Sequence, residues 1–152
     1  MKTIRVGIYV LLMAVIALAA CGGSTGDEGK KGGNSVITEG VMTTAVDNDS
    51  KPTAPVVTSF DASTPVIYCS FKVSGVVPGE MIKASWYYIK GEEVGKENEL
   101  LNETLMITES DATAYYLAFY LDKPVNGWYK GDYKVVLSVN GVEKLTVPFS
   151  IK

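Results

Sequence analysis

From residue 36 onward the apolar residues alternate with polar ones at a period of two, and no long segment shows the 3.6-residue period of a helix. Successive side chains of a strand point to opposite faces of a sheet, so this alternation predicts strands with one buried and one solvated face. Turn-forming pairs such as Pro78-Gly79 and Asn140-Gly141 interrupt the pattern often. The chain is therefore predicted to be all-β and antiparallel.

The predicted strands are separated by short connections. They cover residues 41–46, 56–60, 66–73, 81–90, 100–107, 113–121, 133–139 and 142–151. The predicted inward faces are Ile67, Cys69, Phe71 and Val73; Ile82, Ala84, Trp86 and Tyr88; Tyr115, Leu117, Phe119 and Leu121; Tyr133, Val135, Leu137 and Val139; Leu145, Val147, Phe149 and Ile151. Seven or eight strands in a segment of this length predict a β-sandwich. The sequence leaves open whether residues 36–46 pair into it.

The C-terminal part resembles immunoglobulin-like domains of exported bacterial proteins. Residues 128–137, followed by Asn140-Gly141 and a last strand, resemble their final hairpin. Trp86 lies where such domains often keep a core Trp, and Cys69 lies at the position of the first immunoglobulin Cys. The resemblance extends over residues 56–152. It implies a fold and is nearly silent on function, because this architecture carries many activities.

The chain departs from the immunoglobulin pattern at one position, and the resemblance implies one further feature. Val135 occupies the position of the second immunoglobulin Cys, so the inter-sheet disulfide is absent. Tyr133 precedes it by two residues, which is the spacing of a tyrosine corner, in which the phenol bonds back to the backbone. Cys69 is then predicted to be a small buried side chain without a partner.

The first 20 residues have the features of a secretory signal. Lys2 and Arg5 precede an apolar run over residues 6–17, which is too short to span a membrane comfortably. Leu18-Ala19-Ala20-Cys21 resembles the lipobox of bacterial lipoproteins. The resemblance implies that Cys21 becomes the N-terminus and carries diacylglycerol, with a further acyl chain such as palmitate on its amine in many bacteria. The alternatives are an ordinary signal before an incidental Cys, or a retained membrane helix.

This interpretation divides the chain into a signal peptide (1–20), a lipid-anchored Gly-rich tether (21–35) and a folded domain (36–152). Six of the fourteen residues in 22–35 are Gly and none is apolar, which predicts a coil that spans roughly 20 Å. The predicted location is the cell envelope, with the domain outside the cytoplasm. Gly at position 22 resembles a signal for the outer membrane if the envelope is Gram-negative.

Composition excludes several chemistries. The chain has no histidine, which removes Ser-His-Asp and Cys-His catalysis and His-containing zinc sites. Its net charge is −3, without a basic cluster, so nucleic acid is not an expected partner. Residues 47–50 lack the Gly and Glu of a calcium loop, and they are predicted to be a solvated turn. The acidic residues of segment 91–99 are predicted to be solubilising rather than a paired-carboxylate site. We predict no cofactor, no metal site and no catalytic residue.

One surface is a candidate binding face. Opposite the core, residues 113–121 carry Ala114, Tyr116, Ala118 and Tyr120, and the strand expected beside them carries Tyr68. Tyrosine offers contact area and a hydroxyl at low entropic cost, which favours recognition. The alternative is cross-strand aromatic pairing that only stabilises the sheet.

These observations predict a lipid-anchored, non-catalytic binding or accessory module of an envelope protein assembly. The alternative is a carbohydrate-binding module that docks glycan on Tyr68, Tyr116 and Tyr120. An enzyme is disfavoured, because no nucleophile is paired with a base.

Overall fold

The computed structural model describes residues 35–152 with the exception of Val94. The predicted signal peptide, Cys21 and all but the last residue of the predicted tether lie outside the described residues. The described part contains eight strands and no helix, so the prediction of an all-β fold is confirmed. Accordingly, no helix that is long and apolar enough to cross a membrane occurs in this part of the chain.

The strands lie close to the predicted positions, and only the first two differ clearly. They are β1 (Val36–Thr43), β2 (Ser59–Phe60), β3 (Val66–Val76), β4 (Met81–Gly91), β5 (Glu99–Ile107), β6 (Ala112–Asp122), β7 (Gly131–Val139) and β8 (Val142–Ile151). The first strand begins at residue 36 rather than 41, and it contains a bulge where Glu39 adopts a φ of 55°. That bulge breaks the alternation on which the prediction depended.

The strands form two sheets, one with the order β1-β3-β6 and one with the order β2-β8-β7-β4-β5. β1 pairs with β3, so the segment whose pairing was open belongs to the smaller sheet. All pairings are antiparallel except that of β2 with β8, which is parallel over two residues. This corrects the expectation of wholly antiparallel pairing. The exception arises because the chain crosses from the smaller sheet to the larger one after β1. There β2 lies at the edge of the larger sheet and runs in the same direction as β8.

The two sheets enclose one hydrophobic cluster. The predicted inward residues of β3, β4 and β7 are all buried, and those of β6 and β8 are buried or packed against the cluster. Cys69 is fully buried and has no disulfide partner among the described residues. Burial disfavours the charged thiolate, which raises the pKa of Cys69 to about 12.

The expected tyrosine corner is present. The Tyr133 hydroxyl donates a hydrogen bond of 2.6 Å to the carbonyl of Tyr129, and its ring stacks on Phe149 with centroids 5.1 Å apart. Burial raises the pKa of Tyr133 well above its ordinary value. The β7–β8 turn takes φ values of 51° at Asn140 and 82° at Gly141, which suit a two-residue hairpin turn.

Candidate binding face

The three candidate tyrosines lie on the outer side of the β1-β3-β6 sheet, and we call them the tyrosine face (Tyr68, Tyr116 and Tyr120). The register of β3 with β6 places Tyr68 directly opposite Tyr120 and Lys72 opposite Tyr116. Residues of odd number on the two strands point into the core, so the even-numbered tyrosines point away from it. The predicted orientation of all three rings is therefore present.

Tyr68 and Tyr120 form a contacting pair with ring centroids 5.8 Å apart and planes inclined at 47°. Tyr120 is 52% exposed, so one ring of the pair is widely accessible to solvent. Tyr116 lies four residues before Tyr120 on β6, which is about 13 Å along a strand. The tyrosine face thus consists of a pair and a separate ring.

Tyr116 is held by charged neighbours rather than by another ring. Its hydroxyl donates a hydrogen bond to the Glu39 carboxylate, and Lys72 Nζ lies 3.3 Å from Glu39 Oε1. Lys51 Nζ lies 5.8 Å from the centroid of the Tyr116 ring. The bond from Tyr116, with the Lys72 ammonium, lowers the pKa of Glu39, while the same bond raises the pKa of Tyr116. The side chains of Glu39, Lys72 and Tyr116 are solvent-accessible. Their hydrogen bonds therefore fix the orientation of the Tyr116 ring more than they stabilise the fold.

A turn over residues 47–51 covers part of this outer surface. The Asp47 carboxylate accepts hydrogen bonds of 2.9 Å from the backbone N–H groups of Asp49 and Lys51, as in an Asx turn. The Ser70 hydroxyl donates a 2.7 Å bond to the Ser50 carbonyl. Ser70 lies on the outer side of β3, as the alternation of that strand requires, but this turn buries it completely.

A cleft of about 500 Å³ lies between this turn and β6. Its wall includes Asn48 and Lys51 of the turn, and its other side includes Lys72, Ala114 and Tyr116. The short side chain of Ala114 leaves the space beside the ring open. The cleft therefore combines an aromatic face with amide and ammonium donors, an arrangement that can hold a polar ring by stacking and hydrogen bonds.

The sequence pattern indicates the tyrosines but not the other members of this site. Glu39 and Lys72 are 33 residues apart, and Glu39 and Tyr116 are 77 residues apart. The Asn- and Asp-rich turn was recognised as a turn, but its position above β3 depends on a long-range hydrogen bond. No local pattern indicates which distant segment covers a strand.

The acidic loop between β4 and β5 has structural contacts. Glu92 Oε1 accepts a 2.9 Å hydrogen bond from the Lys130 backbone N–H, and Lys96 Nζ lies 3.7 Å from Glu99 Oε2. The carboxylate of Glu99, with the neighbouring Tyr129, raises the pKa of Lys96. Within residues 35–152, leaving aside Val94, no three Asp, Glu, Cys or His side chains lie close enough to hold a metal ion.

Comparison with known proteins gives structural neighbours only. No family model and no curated protein matches the chain. An immunoglobulin-like protein from Pseudomonas aeruginosa matches with a TM-score of 0.45 and 12% identity, over 80% of this chain and 99% of that one. An alkylpurine DNA glycosylase from Pseudomonas fluorescens matches at 0.45 and 13%, over 78% of this chain and 30% of that one. A β-glucosidase from Listeria innocua matches at 0.47 and 8%, over 78% of this chain and 16% of that one.

The prediction that the chain is not an enzyme is wrong on this comparison. The matched chains include a DNA glycosylase and β-glucosidases, although this chain spans less than a third of each. The prediction relied on the missing histidine, which excludes particular catalytic groups. The amino-acid composition of a β domain does not determine whether the domain is part of an enzyme, because an architecture of this kind occurs with many activities.

Proposed function

We propose that this chain is a lipid-anchored, extracytoplasmic binding or accessory module of a cell-envelope protein assembly. The anchor is the lipid on Cys21, for which the sequence Leu18-Ala19-Ala20-Cys21 is the support. Several acyl chains on one residue hold a protein at a membrane durably. The partner is a second envelope protein, which the module contacts through the tyrosine face.

The proposed fold is an immunoglobulin-like sandwich. The order β1-β3-β6 corresponds to strands A, B and E of that fold, and the order β8-β7-β4-β5 corresponds to G, F, C and C′. The buried Trp86 on the C-equivalent strand and the Tyr133 corner on the F-equivalent strand support the correspondence. The extra strand β2 lies beside β8, at the outer edge of the larger sheet.

One observation carries the recognition proposal, namely the Tyr68–Tyr120 pair on an outer sheet surface. A buried aromatic pair stabilises a fold, but Tyr120 keeps about half of its surface in solvent. Neighbouring Ala118 and Ala114 are too small to cover the rings. Aromatic rings with free hydroxyls and small neighbours are typical of recognition surfaces.

A second candidate function is glycan binding, and the cleft beside Tyr116 favours it. A saccharide ring can stack on Tyr116 while its hydroxyls bond to Asn48 and to the ammonium groups of Lys51 and Lys72. Because the hydroxyl of Tyr116 already bonds to Glu39, the ring has a fixed orientation before a ligand arrives. Such preorganisation lowers the entropic cost of binding.

The test is in-cell cross-linking and affinity recovery of the full lipoprotein, comparing the wild type with Tyr68→Ser/Tyr120→Ser and with Tyr116→Ser. Tyr87→Ser is the matched control, because Tyr87 lies on the outer side of the other sheet, near Lys134. A protein recovered with wild type and control but lost with the double variant supports the leading proposal. Saturable polysaccharide binding that is lost with Tyr116→Ser alone supports the glycan function instead. Recovery unaffected by any tyrosine variant contradicts the tyrosine face as the contact.

The anchor has its own test. Mass spectrometry of the N-terminal peptide is expected to show a diacylglycerol-modified Cys21, and Cys21→Ser is expected to release the domain from membranes. An unmodified Cys21 in a membrane-bound chain contradicts the lipoprotein proposal.

A further inference from the structure

The edge of β6 differs from the other sheet edges among the described residues. β6 is eleven residues long and pairs with β3 on one side only. Its register with β3 is unbroken from Asp122 to Ala112, without a bulge. Residues 112–121 contain no charge, no Pro and no Gly. Within the described chain no fourth strand covers it, so one row of its backbone N–H and C=O groups has no strand partner.

The remaining three edges have features that prevent pairing with another chain. β1 is bulged at Glu39, and an added Cβ at Gly40 would lie 2.5 Å from Leu145 Cδ2, so this edge lies against β8. β2 has only two residues. β5 has a bulge and carries the charges of Glu99 and Glu103. Bulges, short length and charges are the devices by which natural sheets block edge-to-edge association, and β6 has none of them over residues 112–121.

The inward side of β6 is also incompletely covered. Of its core-facing residues Phe119 is buried, but Tyr115, Leu117 and Leu121 are only half-buried. Ile67 and Phe71 on the adjacent β3 are fully buried. Both strands face the same hydrophobic cluster, so the difference follows from the open edge of β6. A strand added at this edge would remove further apolar surface from water.

We propose that this edge pairs with the β6 edge of a second copy of the chain, antiparallel and with Leu117 at the two-fold axis. An antiparallel pairing centred there places Tyr116 opposite Ala118 of the second copy. It places Tyr120 opposite Ala114 of the second copy, so each large outer side chain meets a small one. Large-to-small complementarity of this kind lets the side chains of neighbouring strands interdigitate.

The charges at the ends of β6 favour the same register. With Leu117 at the axis, Lys123 of one copy lies opposite Asp111 of the other, and the symmetry creates this pair twice. Both residues are exposed and lie just outside the strand. A two-fold contact is self-complementary by definition, so one strand must supply both members of each pair. β6 with its flanking residues meets that requirement in shape and in charge.

The pairing would join two smaller sheets into one six-stranded sheet. A two-fold axis perpendicular to the sheet keeps both tyrosine faces on the same side. The copies would then present two binding faces to one partner or one surface, which increases avidity without any new type of contact. The self-pairing itself does not depend on the proposed function.

The experiment is thiol cross-linking of the full chain in membranes, with Ala118→Cys and a reagent that spans about 8 Å. Residues diagonal to each other across neighbouring strands are about 7–8 Å apart, which is the relation between the two copies of residue 118. Thr146→Cys is the matched control, since Thr146 is an exposed residue of β8 on the other sheet. The wild type supplies the background from Cys69, which is buried.

We expect Ala118→Cys to give a species of twice the monomer mass, with a yield about tenfold above Thr146→Cys. Adding Asp111→Lys is expected to lower that yield about fivefold, because two like-charge pairs replace two opposite ones. Exchanging the charges with Lys123→Asp in the same chain is expected to restore it. Equal yields at residues 118 and 146 would overturn the proposal. So would an adduct with a different protein, since that protein would then occupy the edge.

Discussion

The buried thiol of Cys69 is expected to make the folded protein sensitive to alkali in a way that one substitution removes. The side chain has no exposed surface, and burial raises the pKa of the thiol from 9.0 to about 12. In the unfolded chain the thiol is in water and ionises near its ordinary value. The unfolded state thus loses a proton that the folded state keeps. The contribution of the buried, protonated thiol to the free energy of unfolding is fully present below pH 9. It is lost as the pH rises toward 12.

The size of the effect follows from these two pKa values. At pH 10 the unfolded thiol is largely ionised while the folded thiol is protonated, so the free energy of unfolding falls by about 1–2 kcal/mol relative to pH 7. At pH 11 the loss is roughly twice as large. Tyrosines titrate in the same range, so the informative quantity is the difference between the wild type and Cys69→Ala, which share every tyrosine.

The assay is denaturant unfolding followed by tryptophan fluorescence at pH 7 and pH 10. Both proteins carry Cys21→Ser, so that one protein contains Cys69 as its single thiol and the other contains no thiol. The stability advantage of the wild type over Cys69→Ala is expected to shrink by about 1–2 kcal/mol between the two pH values. Parallel loss of stability in both proteins would refute the reasoning. Rapid labelling of Cys69 by a thiol reagent in native buffer would refute its burial directly.

Three substitutions test other parts of the fold by the same unfolding measurement at pH 7. Tyr133→Phe removes the hydroxyl bond to the Tyr129 carbonyl, and it is expected to cost about 1–2 kcal/mol; no loss would mean that water replaces the bond. Gly91→Ala places a Cβ 2.1 Å from the Lys130 carbonyl oxygen, and it is expected to cost about 3 kcal/mol or more; a neutral effect would show that the β4–β7 contact is looser. Thr108→Val removes a buried hydroxyl that bonds to the Glu80 N–H and the Val77 carbonyl in the turn between β3 and β4. A loss of about 2–4 kcal/mol is expected, and a smaller loss than for Tyr133→Phe would contradict the burial of those groups.

The inward faces could be predicted from the sequence with few errors. In β3 and β4 every residue assigned to the core is fully buried, because alternation follows directly from the backbone geometry of a strand. The errors lie where the backbone departs from that geometry. The bulge at Glu39 interrupts the alternation in the first half of β1, which the sequence therefore did not indicate. Gly40 follows the bulge, where β1 approaches the Leu145 and Val147 side chains of β8.

The candidate site was predictable only in part. The sequence placed Tyr68, Tyr116 and Tyr120 on one face, and the β3–β6 register shows which two of them touch. The sequence did not indicate that Glu39, together with Lys72, orients the ring of Tyr116. Those contacts join segments that are far apart in the chain, and their formation depends on which strands become neighbours.

The sequence by itself determined the strands, the direction of their side chains and the turns between them, because these depend on neighbouring residues and on a repeat of two. The tertiary structure alone decided that a polar turn buries Ser70, that a cleft forms beside Tyr116 and that no strand of residues 35–152 other than β3 pairs with β6. Each of these depends on the pairing of strands across the whole chain. Pairing is selected by the total surface that all eight strands bury together, and no local segment contains that information.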